Sequence, residues 1–342
     1  MKWRRYRGTI VGFLAAGLVF AVMFWFLDAR AVFAAAQRAD PGLLAMVAGA
    51  ILLWNLSWGV VFWQVLSAVD AGASLPTAVV INAAGAFANH VTPFGQAGGE
   101  PVTAWFVTRR TGTEYEVSLA AVASFDAINV IPSLTLALLG GSYYLSSVPI
   151  PFDLPGGKGV VAALGMGVLG VVLVWQLVRT QGARLSNAIA SAVRFVTSRI
   201  PGVPTPEADA IRARIHGFVA AVRRVAGDRR RLTAAIAFSA LGWTFQAVGL
   251  WVAFLALDAP IPVAVALFVV PLSALGSAFP TPGGLGGIEA ISITLVTLFT
   301  GVAAPTIAAA VTIHSVGGYM LTTSIGAAAT AVIGIDGEGM PD

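Results

Sequence analysis

Two glutamates, Glu100 and Glu289, close two copies of one pattern, Thr-Pro-x-Gly-x-x-Gly-x-Glu, that the chain carries once in each half. The first copy comprises Thr92, Pro93, Gly95, Gly98, Gly99 and Glu100; the second comprises Thr281, Pro282, Gly283, Gly284, Gly286, Gly287 and Glu289. Proline ends an incoming helix and glycine lets the backbone turn with its amides exposed. The outgoing helix is expected to start near Glu100-Pro101, with proline at its first position, and near Glu289 in the second copy. Free amides and the positive end of a helix dipole suit a phosphate or carboxylate. A carboxylate at the same place competes with such an anion. Each glutamate therefore caps its own helix, carries a proton, or holds a cation.

Further polar residues stand near these copies or inside apolar runs. Asn89 and His90 precede the first copy, and Arg109 and Arg110 follow it. Asp126 interrupts an apolar stretch with Asn129 one helical turn later, hence on the same face. A buried charge there costs about 2.5–3.5 kcal/mol on insertion scales, so Asp126 is expected to face a bundle interior. It either lines a cavity or pairs with Arg109, Arg110 or a Ser/Thr network. His314, beside Thr312 and Ser315, reads as a proton relay or as a helix–helix hydrogen bond. Gln64 and Gln246 read as packing contacts between spans.

The elements that must position these groups are membrane helices. The chain is 57% hydrophobic and 11% charged, with mean hydropathy +0.84, far from a soluble domain. Six stretches are long and apolar enough to cross a bilayer: about 10–27, 43–67, 117–141, 160–178, 232–257 and 305–333. The uncharged run 8–27 exceeds the ~7–15-residue core of a secretory signal, which favours a retained first span. Residues 77–91 and 101–108 around the first copy, and 263–279 and 290–300 around the second, are each too short to cross alone. The stretch 142–158, with Tyr143 and Tyr144, reads as an interfacial turn.

Charge sets the topology. Lys2, Arg4, Arg5 and Arg7 precede the first span. Residues 179–231 hold eleven arginines against Glu207, Asp209 and Asp228. The positive-inside rule places both segments in the cytoplasm of a plasma-membrane protein. The even crossing number between them leaves 77–108 as a hairpin entering and leaving on the cytoplasmic side. The same count makes 263–300 a hairpin entering from outside, which is an inverted repeat around a midplane cavity. The expected fold is thus an all-α polytopic membrane protein of about six full spans and two re-entrant hairpins. Its parts are a first half 1–178, Arg-rich amphipathic cytoplasmic helices over 179–231, and a second half 232–342. Ile211, Ile215, Phe218, Val219 and Val222 mark the apolar face of one such helix.

Soluble-enzyme chemistry has no signature here. Cysteine is absent and the three histidines are scattered, so no zinc motif exists and no metal or cofactor is expected. Gly156-Gly157-Lys158-Gly159 lacks the rest of a phosphate loop. The net charge of +4 is concentrated in one segment and is no nucleic-acid signal. The expected partners are membrane lipids, with proton or cation coupling open and the oligomeric state unspecified.

The two copies resemble the blocks of the lysylphosphatidylglycerol synthetase transmembrane (flippase-like) family. The matching residues are Asn89, Pro93, Gly95, Gly98, Gly99 and Glu100, then Pro280, Pro282, Gly283, Gly284, Gly286 and Glu289. Many members carry Arg three residues after the first glutamate, where this chain has Thr103. If that Arg contacts an anionic head group, its role here is unfilled or passes to Arg109 or Arg110. The resemblance implies movement of a phospholipid or polyprenyl-phosphate glycolipid between leaflets, without enzymatic activity of its own. The alternatives are an ion-coupled transporter of a small solute and a non-transporting partner of an envelope glycosyltransferase.

Overall fold

The computed structural model describes residues 29–92, 95–147, 208–279 and 281–333, and every regular element in them is helical. The expected spans 10–27 and 160–178 lie outside these residues, as do Pro93, Pro280 and all of 179–207. In chain order the elements are α1 (Ala29–Ala36), α2 (Pro41–Ala68), α3 (Leu75–Val91), α4 (Gln96–Thr111), α5 (Tyr115–Ser147), α6 (Ala208–Gly227), α7 (Arg229–Leu255), α8 (Val263–Ser273), α9 (Gly287–Phe299) and α10 (Ala304–Ile333). Short 3₁₀ turns, Ala274–Ala278 and Pro282–Gly284, join α8 to α9. Among the described residues five helices are long and apolar enough to cross a membrane: Pro41–Ala68, Tyr115–Tyr144, Arg229–Leu255, Pro282–Phe299 and Ala304–Ile333. The fourth includes the turn that precedes α9; α9 itself has 13 residues, about 20 Å of helix.

Local chemistry sets the helix boundaries. Asp40 accepts from Leu43 N at 2.9 Å, with Pro41 at the first helical position of α2. Ser74 accepts from Thr77 N at 3.4 Å to open α3. Asp228 accepts from Arg231 N at 3.0 Å and pairs with the Arg231 guanidinium, opening α7. Helix α4 ends on Gly112, in the left-handed region at φ 73°. Helix α5 continues through Ser147 instead of turning at 142. Tyr143 and Tyr144 are therefore helical, and the Tyr144 hydroxyl donates to Phe299 O at 2.5 Å.

The described bundle repeats one unit, helix–hairpin–helix. The first is α2, the α3–α4 pair and α5; the second is α7, the α8–α9 pair and α10. Helices α2 and α7 pack along each other at the centre. The hairpins then cross over: α3 packs on α10, the helix that follows the other hairpin, and α8 packs on α5. Two apolar cores result. One gathers Val65 and Leu66 of α2, Ile81 of α3, Val107 of α4, Ala121 of α5 and Ile333 of α10. The other gathers Val47 of α2, Ala137 of α5, Phe254 of α7, Val269 of α8, Val296 of α9 and Ile307 of α10. Each long helix gives opposite halves to the two cores, so the open ends of the two hairpins lie at opposite ends of the bundle. Phe218 and Val222 of α6 pack against the first core, whereas Val219 is exposed.

Candidate functional site

The hairpin tips meet. Gly95, at φ 53° and buried, lies so close to the second copy that an added Cβ would sit 3.7 Å from Thr281 O and 3.8 Å from Gly283 N. Gly283, at φ 62°, seats against a stacked pair formed by His90 of α3 and Tyr319 of α10, whose ring centroids are 4.1 Å apart. The Tyr319 hydroxyl donates to His90 O at 2.8 Å, and His90 Nδ1 lies 2.7 Å from Thr323 Oγ1. His90 thus fastens the first tip to α10.

A cavity of about 540 Å³ opens beside the joined tips. Of the residues singled out from the sequence, Asn89, His90, Glu100, Thr103, Asp126, Asn129, Gln246, Gly283, Glu289, His314 and Ser315 line it. Thr92, Gly95, Gly98, Gly99, Thr281, Pro282, Gly284, Gly286 and Gly287 do not; they shape the backbone behind it. Thr92 Oγ1 donates to Gly95 O at 2.9 Å, and Thr281 Oγ1 donates to Leu285 O at 2.8 Å. Gly98 leaves room for the Thr92 side chain, and Gly99 for Asn89, whose Oδ1 is enclosed without a hydrogen-bond partner.

The two glutamates differ. Glu289 is 1% exposed, and both of its oxygens are engaged. Oε2 accepts from Gly286 N at 2.6 Å, and Oε1 accepts from the Ser315 hydroxyl. It caps its own helix. Glu100 caps nothing, because α4 begins at Gln96 and not at the expected Glu100-Pro101. Glycines 98 and 99 let the first turn of α4 form against α3 without steric conflict, so Glu100 falls in the second turn and Pro101 lies inside the helix. The Glu100 carboxyl is hydrogen-bonded instead to the carboxyl of Asp126. No N–H or O–H donor reaches Asp126 Oδ2.

Arg109 and Arg110 are exposed at the far end of α4, with Arg109 over the Trp105 ring at 5.4 Å, and neither lines the cavity. The group that meets the Asp126 carboxyl is Glu100. Asn129 binds across helices: Ser239 Oγ donates to its Oδ1 at 2.5 Å, and Trp243 Nε1 donates to its carbonyl at 2.9 Å. His314 bonds the backbone of Gln246 while its Nε2 has no partner and packs on Gly249, which fits the helix–helix contact. Thr103 is buried and donates to Gly99 O at 3.0 Å. Among the described residues the cavity lining contains no lysine or arginine.

Several lining residues were not singled out beforehand. Trp54, Trp58 and Trp243 form an edge-to-face cluster with Phe125, with centroids 5.2 Å (Trp54–Trp58), 5.4 Å (Trp58–Trp243) and 6.0 Å (Trp58–Phe125) apart. Asn55 and Asn82 meet through a 3.3 Å bond from Asn82 Nδ2 to Asn55 O. The signal for Asn55 was an amide within an apolar run, flanked by tryptophans one turn apart. Tyr319 carried no comparable signal. Among the described residues no group of three His, Cys, Asp or Glu comes together as a metal site.

Comparison with known proteins agrees with this architecture. A UPF0104 membrane protein of Methanothermobacter thermautotrophicus is 25% identical, covering 96% of this chain and 96% of its own. A further UPF0104 membrane protein, from Pyrococcus horikoshii, is 23% identical, covering 80% of this chain and 82% of its own. Glycosyltransferase AglD of Haloferax volcanii is 28% identical over 91% of this chain, which corresponds to 52% of that protein. Residues 9–326 match the family described as the lysylphosphatidylglycerol synthase TM region. With that match over most of its length and two helix–hairpin–helix units around a cavity that holds Glu100, Asp126 and Glu289, the chain belongs to this membrane family.

Proposed function

We propose that the protein moves a lipid, a phospholipid or a lipid-linked glycolipid, between leaflets of the plasma membrane, with the two hairpins as re-entrant elements. The N-terminus and 179–231 are then cytoplasmic. The observation that carries this reading is the exposure of apolar side chains in the cavity wall. Val130 of α5 and Leu275 of the 3₁₀ turn after α8 line the cavity, yet are 37% and 68% exposed on an apolar bundle. A cavity with polar groups inside and an apolar flank suits an amphiphile whose head enters while its tails stay in lipid. The lengths agree, since α3 and α4 measure about 25 Å each against a hydrocarbon core of about 30 Å.

The chemistry of the lining revises one expectation. Two helix ends facing one site favour an anionic head group, but the second end is already occupied by Glu289, and the described lining offers carboxyls without a fixed cation. The Haloferax relative is named a glycosyltransferase, which supports a sugar-bearing head group as one candidate cargo. The carboxyls also suit an ion-coupled transporter of a small solute, but the exposed flank at Val130 and Leu275 favours the lipid.

The test is a leaflet-translocation assay in reconstituted vesicles, using labelled phospholipid and labelled polyprenyl-phosphate glycolipid. Wild type is expected to exceed protein-free vesicles clearly for at least one cargo, and Glu100→Gln to lose most of that rate. Wild-type rates equal to protein-free vesicles for both lipids would sink the proposal.

A further inference from the structure

Glu100 and Asp126 differ from Glu289 and Asn129 of the same cavity because, among the described residues, their carboxyls meet each other. Glu289 has a backbone amide and the Ser315 hydroxyl. Asn129 has Ser239. Asp126 Oδ2 is enclosed and meets no N–H or O–H, and the partner its carboxyl does have is another carboxyl. Two carboxylates in hydrogen-bond contact repel, and the bond exists only when a proton lies between them.

Among the described residues the cavity lining offers no fixed positive charge. From α3 the titratable neighbour is His90, held by Thr323 and stacked on Tyr319 of α10. From α10 there is also His314, bonded to the Gln246 backbone. From α9 there is Glu289, itself acidic. Helices α2, α7 and α8 contribute amides, indoles and apolar groups, and none of the lining residues they supply is titratable. On the pair's own helices, Arg109, Arg110, Tyr115 and Glu116 sit toward the far end of α4 and the near end of α5, away from the lining. Arg223 and Arg224 of α6 are exposed and also outside it.

We propose that Glu100 and Asp126 form a site for one exchangeable proton, bridging the first hairpin to α5, and that its release and uptake are coupled to passage of cargo. This rests on the transport reading above and assigns the coupling group: the first glutamate with Asp126, without Glu289. The step is a simple acid–base one. The shared proton leaves the pair for water or for a basic group on the cargo, and one proton returns when the cavity is next exposed to solvent. Loss of the proton leaves two adjacent negative charges, which separates α4 from α5 and widens the cavity between them.

Two measurements on the full chain in lipid nanodiscs or vesicles test this. Infrared difference spectroscopy across a pH titration reads the C=O stretch of a protonated carboxyl without any need for transport. A single such band is expected at neutral pH in wild type and in Glu289→Gln, and is expected to vanish in Glu100→Gln and in Asp126→Asn. No band in wild type, or a band surviving both single substitutions, would overturn the site. The second measurement sets a pH difference across vesicles and reads the steady-state leaflet ratio of the labelled lipid. One coupled proton shifts that ratio by up to about tenfold per pH unit. An unchanged ratio with active translocation would overturn the coupling. Inactive vesicles with an intact infrared pattern would overturn the transport reading and leave the proton site standing.

Discussion

The first and second Thr-Pro-x-Gly-x-x-Gly-x-Glu segments share residues and spacing, yet their outgoing helices begin two positions apart within the motif. Helix α4 starts at the fifth position, Gln96, and α9 at the seventh, Gly287. That offset decides what each glutamate does. Glu289 lands in the first turn, reaches back to Gly286 N and is consumed by capping. Glu100 lands in the second turn, too far along to cap, and turns toward Asp126. A repeated sequence has yielded one carboxyl that caps its helix and one that meets a second carboxyl. The lesson is that register relative to a helix start, not residue identity, separates the two roles.

The comparison can be broken most directly at the glutamates. Glu289→Ala leaves the Gly286 amide and the Ser315 hydroxyl unpaired in a buried place, and is expected to cost about 3 kcal/mol of stability. Glu100→Ala relieves a carboxyl pair and is expected to cost under about 1 kcal/mol. Unfolding titrations in mixed micelles read both, and equal losses would erase the distinction drawn here. Next in size are the glycines. Gly276 packs directly on the backbone of Gly287 and Ile288, so that Gly276→Ala forces α8 and α9 apart at about 1–3 kcal/mol. Gly95→Ala meets only ordinary contacts at 3.7–3.9 Å, but its φ of 53° with ψ of −124° is a glycine conformation that costs alanine about 1–3 kcal/mol, so the two hairpins should prove similarly sensitive for different reasons. The smallest effect concerns the threonines, whose hydroxyls close their turns alike. Thr92→Val and Thr281→Val should each lose about 1 kcal/mol, and a large inequality would show that the tips are not equivalent even in their turns.

Much of the architecture was legible beforehand because hydrophobic runs of membrane length are a strong signal. The helices α2, α5, α7 and α10 fall close to the expected 43–67, 117–141, 232–257 and 305–333. The breaks around Gly95 and Gly283–Gly286 were readable from glycine and proline, since few other residues tolerate positive φ. The start of α4 was misplaced because proline at a first helical position is a good signal, but Pro101 sits further in, where glycines 98 and 99 permit an earlier start. Arg109 and Arg110 were near the motif in sequence, yet a helix of 16 residues carries them about 20 Å from its first turn.

By itself the sequence determined that this is a polytopic membrane protein with one motif in each half, because apolar length and helix-breaking residues act locally. It also showed which carboxyls interrupt apolar surroundings, since their cost does not depend on the fold. Only the tertiary structure decided that the hairpin tips touch, that each hairpin packs on the helix following the other, and that Glu100 faces Asp126 while Glu289 faces Ser315. Those pairings join residues far apart in the chain. They are set by how helices cross, which no local spacing encodes.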